Sequence, residues 1–149
     1  MEIDEAIEDH VRTAFSAAIG HNPNDLKAAL GQIDARDFPV AVSYAIYVCG
    51  YIVSDVFNGE RRDTGIAEMA EYVVADNKEW VDLGSATTVA EFLKAAAAGD
   101  MTSAAVAGDE VAGQSFVIGG YLLSRFRHAG QRWFEYLDDI WNGHQATQH

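Results

Sequence analysis

The segment Val48-Cys49-Gly50-Tyr51-Ile52-Val53-Ser54 returns as Ile118-Gly119-Gly120-Tyr121-Leu122-Leu123-Ser124, 70 residues further on (121 minus 51). Both copies sit in stretches free of charge, and the first stretch, residues 38–54, also carries Val40, Val42, Ile46 and three tyrosines. A helix without a polar face has to be buried on all sides in a chain of 149 residues. The repeat therefore predicts a core built on two similar buried Gly-Tyr helices.

Helix start and stop signals recur along the rest of the chain, and alternating β-branched runs with hairpin turns are missing, so the fold class is all-α. A first helix is predicted over residues 3–19, striped by Ile3, Ile7, Val11, Phe15 and Ala18 and ended by Gly20. Asn22 and Pro23 open a short second helix that Gly31 closes. Asp37 is the expected cap of the apolar helix over residues 38–57, which Asn58-Gly59 ends. A fourth helix is expected over 64–81, and Thr88-Val89-Ala90-Glu91 has the capping-box pattern for a fifth over 89–98. Residues 101–107 suggest one weak turn, and 109–141 a long helical segment bent or closely packed at Gly119-Gly120 and Gly130. The expectation is a compact single-domain bundle of six to seven helices over residues 1–143 with a mobile tail at 144–149.

Weaker echoes extend the repeat. Leu26-Lys27-Ala28-Ala29-Leu30 matches Leu93-Lys94-Ala95-Ala96-Ala97, and Ile3, Glu5, Glu8 and Val11 match Ile66, Glu68, Glu71 and Val74. Matches in the same order predict a pseudo-symmetric duplication of a three-helix unit, residues 3–57 and 66–126.

Charge narrows the partners. With 23 Asp and Glu against 10 Lys and Arg, the net charge is −13. Such a field repels phosphate backbones and anionic membranes, so neither direct nucleic-acid binding nor membrane binding is expected, and a basic protein or a divalent cation is favoured. The uncharged run at 38–54 is at the short limit for a bilayer span and reads as a core helix. Cys49 is the single cysteine and lies in that run, which excludes an intramolecular disulfide. The acidic start Met-Glu-Ile-Asp-Glu is the opposite of a secretory signal, and a cytoplasmic location is expected.

Three constellations are candidates for function. Arg125, Arg127, His128 and Arg132, followed by Trp133 and Trp141, form the densest cationic and aromatic cluster in an acidic chain. Arg and Trp are enriched at interface hot spots, and Arg holds carboxylate or phosphate with two parallel hydrogen bonds, so this cluster is the candidate partner-binding site. Glu68, Glu71, Glu79 and Asp82 line one face if the fourth helix is unbroken, and hard carboxylate oxygens suit Mg²⁺ or Mn²⁺. That spacing resembles the Glu-x-x-Glu and Glu-x-x-Asp motifs of all-α nucleotide pyrophosphatases. It departs from them in placing both motifs seven residues apart on one helix rather than on two facing helices. Tyr51 and Tyr121 are candidate polar handles of an apolar pocket between the Gly-Tyr helices. None of the five histidines stands three or four residues from another, and no G-x-S-x-G nucleophile motif occurs.

The favoured reading is a non-enzymatic acidic domain that binds a basic protein surface, as an inhibitor or immunity-type protein does, without a cofactor. Self-association into a homo-oligomer through the aromatic C-terminal helix belongs to the same class. The alternatives are a Mg²⁺- or Mn²⁺-dependent enzyme acting on a nucleotide or phosphorylated small molecule, and a small-molecule or lipid binder.

Overall fold

The computed structural model describes residues 4–60, 63–99 and 108–147, of which side chains are described for 4–60, 63–99 and 113–144. The described residues form seven α-helices and no strand: α1 (Glu5–Ile19), α2 (Pro23–Gly31), α3 (Phe38–Val56), α4 (Asp63–Asn77), α5 (Ala86–Ala97), α6 (Gly108–Phe126) and α7 (Trp133–Thr147). The expected weak turn at 101–107 lies outside the described residues.

Local chemistry explains most of the boundaries. The Asp4 carboxylate accepts the Ile7 backbone N–H at 2.9 Å and caps α1. Asn22 caps α2 by accepting from the Asp25 N–H at 3.0 Å, with Pro23 in the first turn where its missing donor costs nothing. At the end of α1 the left-handed position falls to His21 (φ 54°) rather than to Gly20. The amides of His21 and Asn22 close the helix on the Ala18 and Ala17 carbonyls at 3.1 and 3.0 Å. Asn58 (φ 54°) and Gly59 end α3 in the same manner.

Several expectations need correction. Asp37 precedes α3 but makes no side-chain cap bond, because residues 34–37 already turn helically and the Phe38 N–H is taken by the Asp34 carbonyl. The cap of α5 is Ser85, whose hydroxyl accepts the Thr88 N–H at 3.1 Å, so the helix starts three residues before the capping box suggested. The segment predicted over 109–141 is two helices, with a break at 127–132 that contains Gly130 at φ +78°. The expected tail begins too early: residues 144–147 continue α7, and His144 is buried.

One hydrophobic core unites all these helices. It centres on α3, where Tyr44, Ala45, Ile46, Val48, Cys49, Ile52 and Val53 are buried, and on α6, buried from Ser115 to Gly120 and at Leu122 and Leu123. Helix α3 packs most extensively on α6 and also on α5, α1 and α7; α1 pairs with α2, α4 with α5, and α6 leans on α1. Among the described residues α3 is the one helix long and apolar enough to cross a membrane, and half of that stretch is buried inside the bundle.

The Gly-Tyr segments make different contacts. A Cβ on Gly50 would stand 2.2 Å from the Ala96 carbonyl oxygen, so the backbones of α3 and α5 touch there. On α6 the corresponding glycines face α1: a Cβ on Gly119 would meet the Phe15 ring at 2.6 Å, and one on Gly120 would meet the Ala18 methyl at 3.2 Å. A strict two-fold repeat would put α2, the counterpart of α5, against α6; α1 takes that place instead.

Candidate functional site

Helix α4 carries the first candidate surface. Ile66, Met69, Ala70, Val73 and Asn77 face the core, which leaves Glu68, Glu71, Tyr72 and Ala75 on the opposite side. Tyr72 is 60% exposed, far more than any other large hydrophobic residue among those described. The outer face of the helix therefore carries a protruding aromatic ring and two exposed carboxylates.

Glu79 and Asp82 do not join that face, because α4 stops at Asn77. The buried Asn77 side chain donates to the Val73 carbonyl at 2.7 Å and accepts from the Trp80 indole N–H at 2.8 Å. Its own carbonyl accepts the amides of Trp80 and Val81 at 3.1 and 3.0 Å, turning the chain out of the helix. The single carboxylate-lined face required for a metal site on α4 is thus not formed, and among the described residues no group of three or more His, Cys, Asp or Glu side chains converges for a metal. Glu79 and Asp82 are exposed in the turn that follows, where Asp82 accepts the Gly84 amide at 2.8 Å.

The cationic cluster splits three ways. Arg125, Arg127 and His128 line an open, solvent-exposed cleft of about 600 Å³ at the end of α6, which His21, Asp76 and Tyr121 also line. Arg132 lies over the Phe134 ring (5.7 Å to the centroid), and Trp133 and Phe134 border an open groove of about 750 Å³ between α1, α2 and α7. Trp141 packs edge-on to Tyr44, 5.7 Å between centroids, and lies half-buried against the core.

The walls of the smaller cleft are fixed by specific contacts. His21 stacks on Trp80 at 5.2 Å with the rings 13° from parallel, an arrangement its left-handed backbone makes available. The Tyr121 hydroxyl donates to Asp76 at 2.6 Å, and burial together with that bond pushes its pKa up, so it remains a phenol. Arg127 donates to the Ser124 carbonyl. His128 Nε2 lies 2.9 Å from Asp55, which also accepts from the Tyr136 hydroxyl at 2.6 Å. Burial opposes ionisation of Asp55, but these bonds outweigh it and hold its carboxyl below the ordinary range. Among the described residues neither Arg125 nor Arg127 has a carboxylate within ion-pair distance.

Tyr51 stands apart from Tyr121: it is 37% exposed and is not in the wall of the cleft that Tyr121 lines. Elsewhere Arg12 bridges Glu8 on its own helix and Asp138 on α7. The fully buried Tyr44 and the rings of Tyr47, Trp141 and His144 pack beside this ion cluster, joining the last helix to the first.

The chain matches no protein-family model, no curated protein and no solved structure.

Sequence reasoning missed Tyr72, His21 and Asp76 as surface features. Tyr72 was legible, since it falls between Glu71 and Ala75 on the face opposite the apolar stripe. His21 and Asp76 were not, because they meet the end of α6 only through tertiary packing, 45 residues separating Asp76 from Tyr121.

Proposed function

We propose that this protein is a non-enzymatic, cytoplasmic interaction domain that presents the outer face of α4 to a basic protein surface, in the manner of an inhibitor or immunity-type protein. The observation that carries the reading is Tyr72, 60% exposed on the same outer side of α4 as the exposed Glu68 and Glu71. Tyrosine supplies large contact area with little conformational entropy to lose, which is why it is enriched at the centres of interfaces. Two carboxylates beside it and a net charge of −13 favour a partner rich in Lys and Arg and speed encounter by long-range attraction. A helix of 15 residues offers a ridge about 22 Å long, enough to fill a basic groove.

The test is affinity capture with the full chain as bait in an extract of its source organism, with wild-type and variant baits side by side. A basic protein retained at low salt, released as salt is raised, and lost from Tyr72→Ala and from the Glu68→Gln/Glu71→Gln double variant is the expected outcome. A partner bound equally by all three baits would sink the assignment to α4.

Self-association is the second reading, supported by the open groove that exposes the edges of Trp133 and Phe134. Light scattering across micromolar concentrations separates the two: a dimer insensitive to salt and abolished by Trp133→Ala favours the groove over α4.

A further inference from the structure

We propose that the outward face of α3 is a self-association surface, on which a second copy of this chain packs its own α3 across a two-fold axis. The most apolar helix of the molecule is not wholly enclosed: half of its apolar stretch is buried inside the bundle, and the rest is half-buried or exposed. Val40, Ser43, Tyr47, Tyr51 and Ser54 are among the residues left out, and their spacing of three and four puts them on one ridge. From Val40 to Ser54 that ridge is about 21 Å long. It runs between the two helices that flank it, since Gly50 turns to Ala96 of α5 and Tyr44 to Trp141 of α7. Tyr51 is 37% exposed and, with Tyr72, is one of two large hydrophobic residues exposed among those described. Tyr47 stacks on the buried Tyr44 and meets the His144 ring edge-on at 4.9 Å, so it has little freedom left to lose when a partner covers it.

Charge selects the occupant. Residues 38–54 contain no Asp, Glu, Lys, Arg or His, whereas every other described helix exposes charge, at Asp9, Lys27, Glu68, Glu91, Arg125 and Asp139 in chain order. A basic partner gains nothing from a neutral ridge. In a two-fold contact the same patch meets itself, so in a chain of net charge −13 a charged face sets like against like, and the uncharged ridge avoids this. Tyrosine, with an apolar body and a polar tip, suits the centre of such a contact. The carboxylate at its border, Asp55, is already engaged by Tyr136 and His128. Antiparallel packing of two ridges about Tyr47 sets the two Asp55 side chains about 24 Å apart along the helix axis, well beyond the screening length of about 8 Å at physiological salt. This surface is separate from the α4 face and from the groove beside Trp133, so its failure leaves those readings standing.

The experiment is sedimentation velocity of the intact chain over a micromolar range, at about 0.05 M and about 0.5 M NaCl. A reversible monomer–dimer equilibrium that tightens as salt is raised is expected, because screening relieves the repulsion between two acidic copies while the ridge has no charge of its own to screen. That response is opposite in sign to the one expected of a basic partner on α4. Tyr51→Glu and, separately, Ser43→Glu each place two carboxylates in the contact and should weaken the dimer about tenfold or more. Trp133→Ala should leave it intact. A monomer at every concentration and salt, a dimer that salt weakens, or one that both Glu variants hold as tightly as wild type overturns the proposal. So does a dimer lost from Trp133→Ala, which belongs to the groove. Adsorption of the monomer to phosphatidylcholine vesicles, lost from Tyr51→Glu, would give the ridge to a lipid surface instead.

Discussion

At the scale of single residues the glycines sort by what surrounds them. Gly50 touches the Ala96 carbonyl, and a helix backbone cannot yield as a side chain can. Gly50→Ala is expected to cost about 2–3 kcal/mol by forcing α3 and α5 apart, lowering the melting temperature by several degrees in a thermal unfolding scan. Gly113 lies inside α6, and a Cβ added to it would have nothing within 4 Å, so Gly113→Ala should instead stabilise by about 0.5–1 kcal/mol in the same scan. Cys49 is wholly buried, its Sγ 3.7 Å from the Ser115 carbonyl, and burial pushes its thiol far above the usual range. It should therefore react with a thiol reagent only once the protein is unfolded; labelling of native protein at the rate of a free thiol would contradict this. A bend or close contact at Gly119-Gly120 was legible in the sequence; the contact at Gly50 was not. Which helix each one meets was not legible either, since a glycine specifies only the absence of a side chain.

At the scale of helices the caps decide lengths, and those lengths decide which side chains share a face. The fourth helix ends four residues earlier than its apolar stripe suggested, because Asn77 takes the Val73 carbonyl and the Trp80 indole within one buried turn. Asn77→Ala leaves the indole N–H without that acceptor and should destabilise by about 1–3 kcal/mol in urea unfolding followed by tryptophan fluorescence. A midpoint equal to wild type would show that the turn is held by packing alone. The capping-box pattern points to Thr88 with Glu91 as the cap of α5, whereas Ser85 with Thr88 makes it. Both leave Val89, Leu93 and Ala96 on one buried stripe, so periodicity was unable to choose between them. The winner is set by where the chain leaves the buried Leu83 and the left-handed Gly84. Asn22-Pro23 had no such rival, and α2 starts where its sequence indicates.

At the scale of the whole molecule, stability depends on charged groups that packing has enclosed. Burial lowers the pKa of His144 below its usual 6.5, so the folded state resists the proton that the unfolded chain accepts. Stability is thus unaffected by this group above pH 6.5 and falls as pH drops from there toward the lowered value. Glu8 works in the opposite sense: burial raises its pKa above 4.5 despite Arg12 beside it, so stability is recovered as pH falls through that raised value toward 4.5. A melting-temperature profile should therefore decline first just below pH 6.5, and His144→Phe should flatten that decline while leaving the Glu8 region in place. An unchanged profile in the variant would remove His144 as its cause. The chain by itself determined the helical class, the buried cysteine, the central place of residues 38–56 and the acidic charge, because hydrophobic periodicity, local caps and composition are properties of neighbouring residues. Only tertiary structure decided that His21, Asp76 and Arg125 share one cleft, that Trp141 packs against the core, and that Tyr51 and Tyr121 part company. Those outcomes depend on which helices pack together and at what angle, and that is set by close contacts such as Gly50 on Ala96 and Gly119 on Phe15, between residues far apart in the chain.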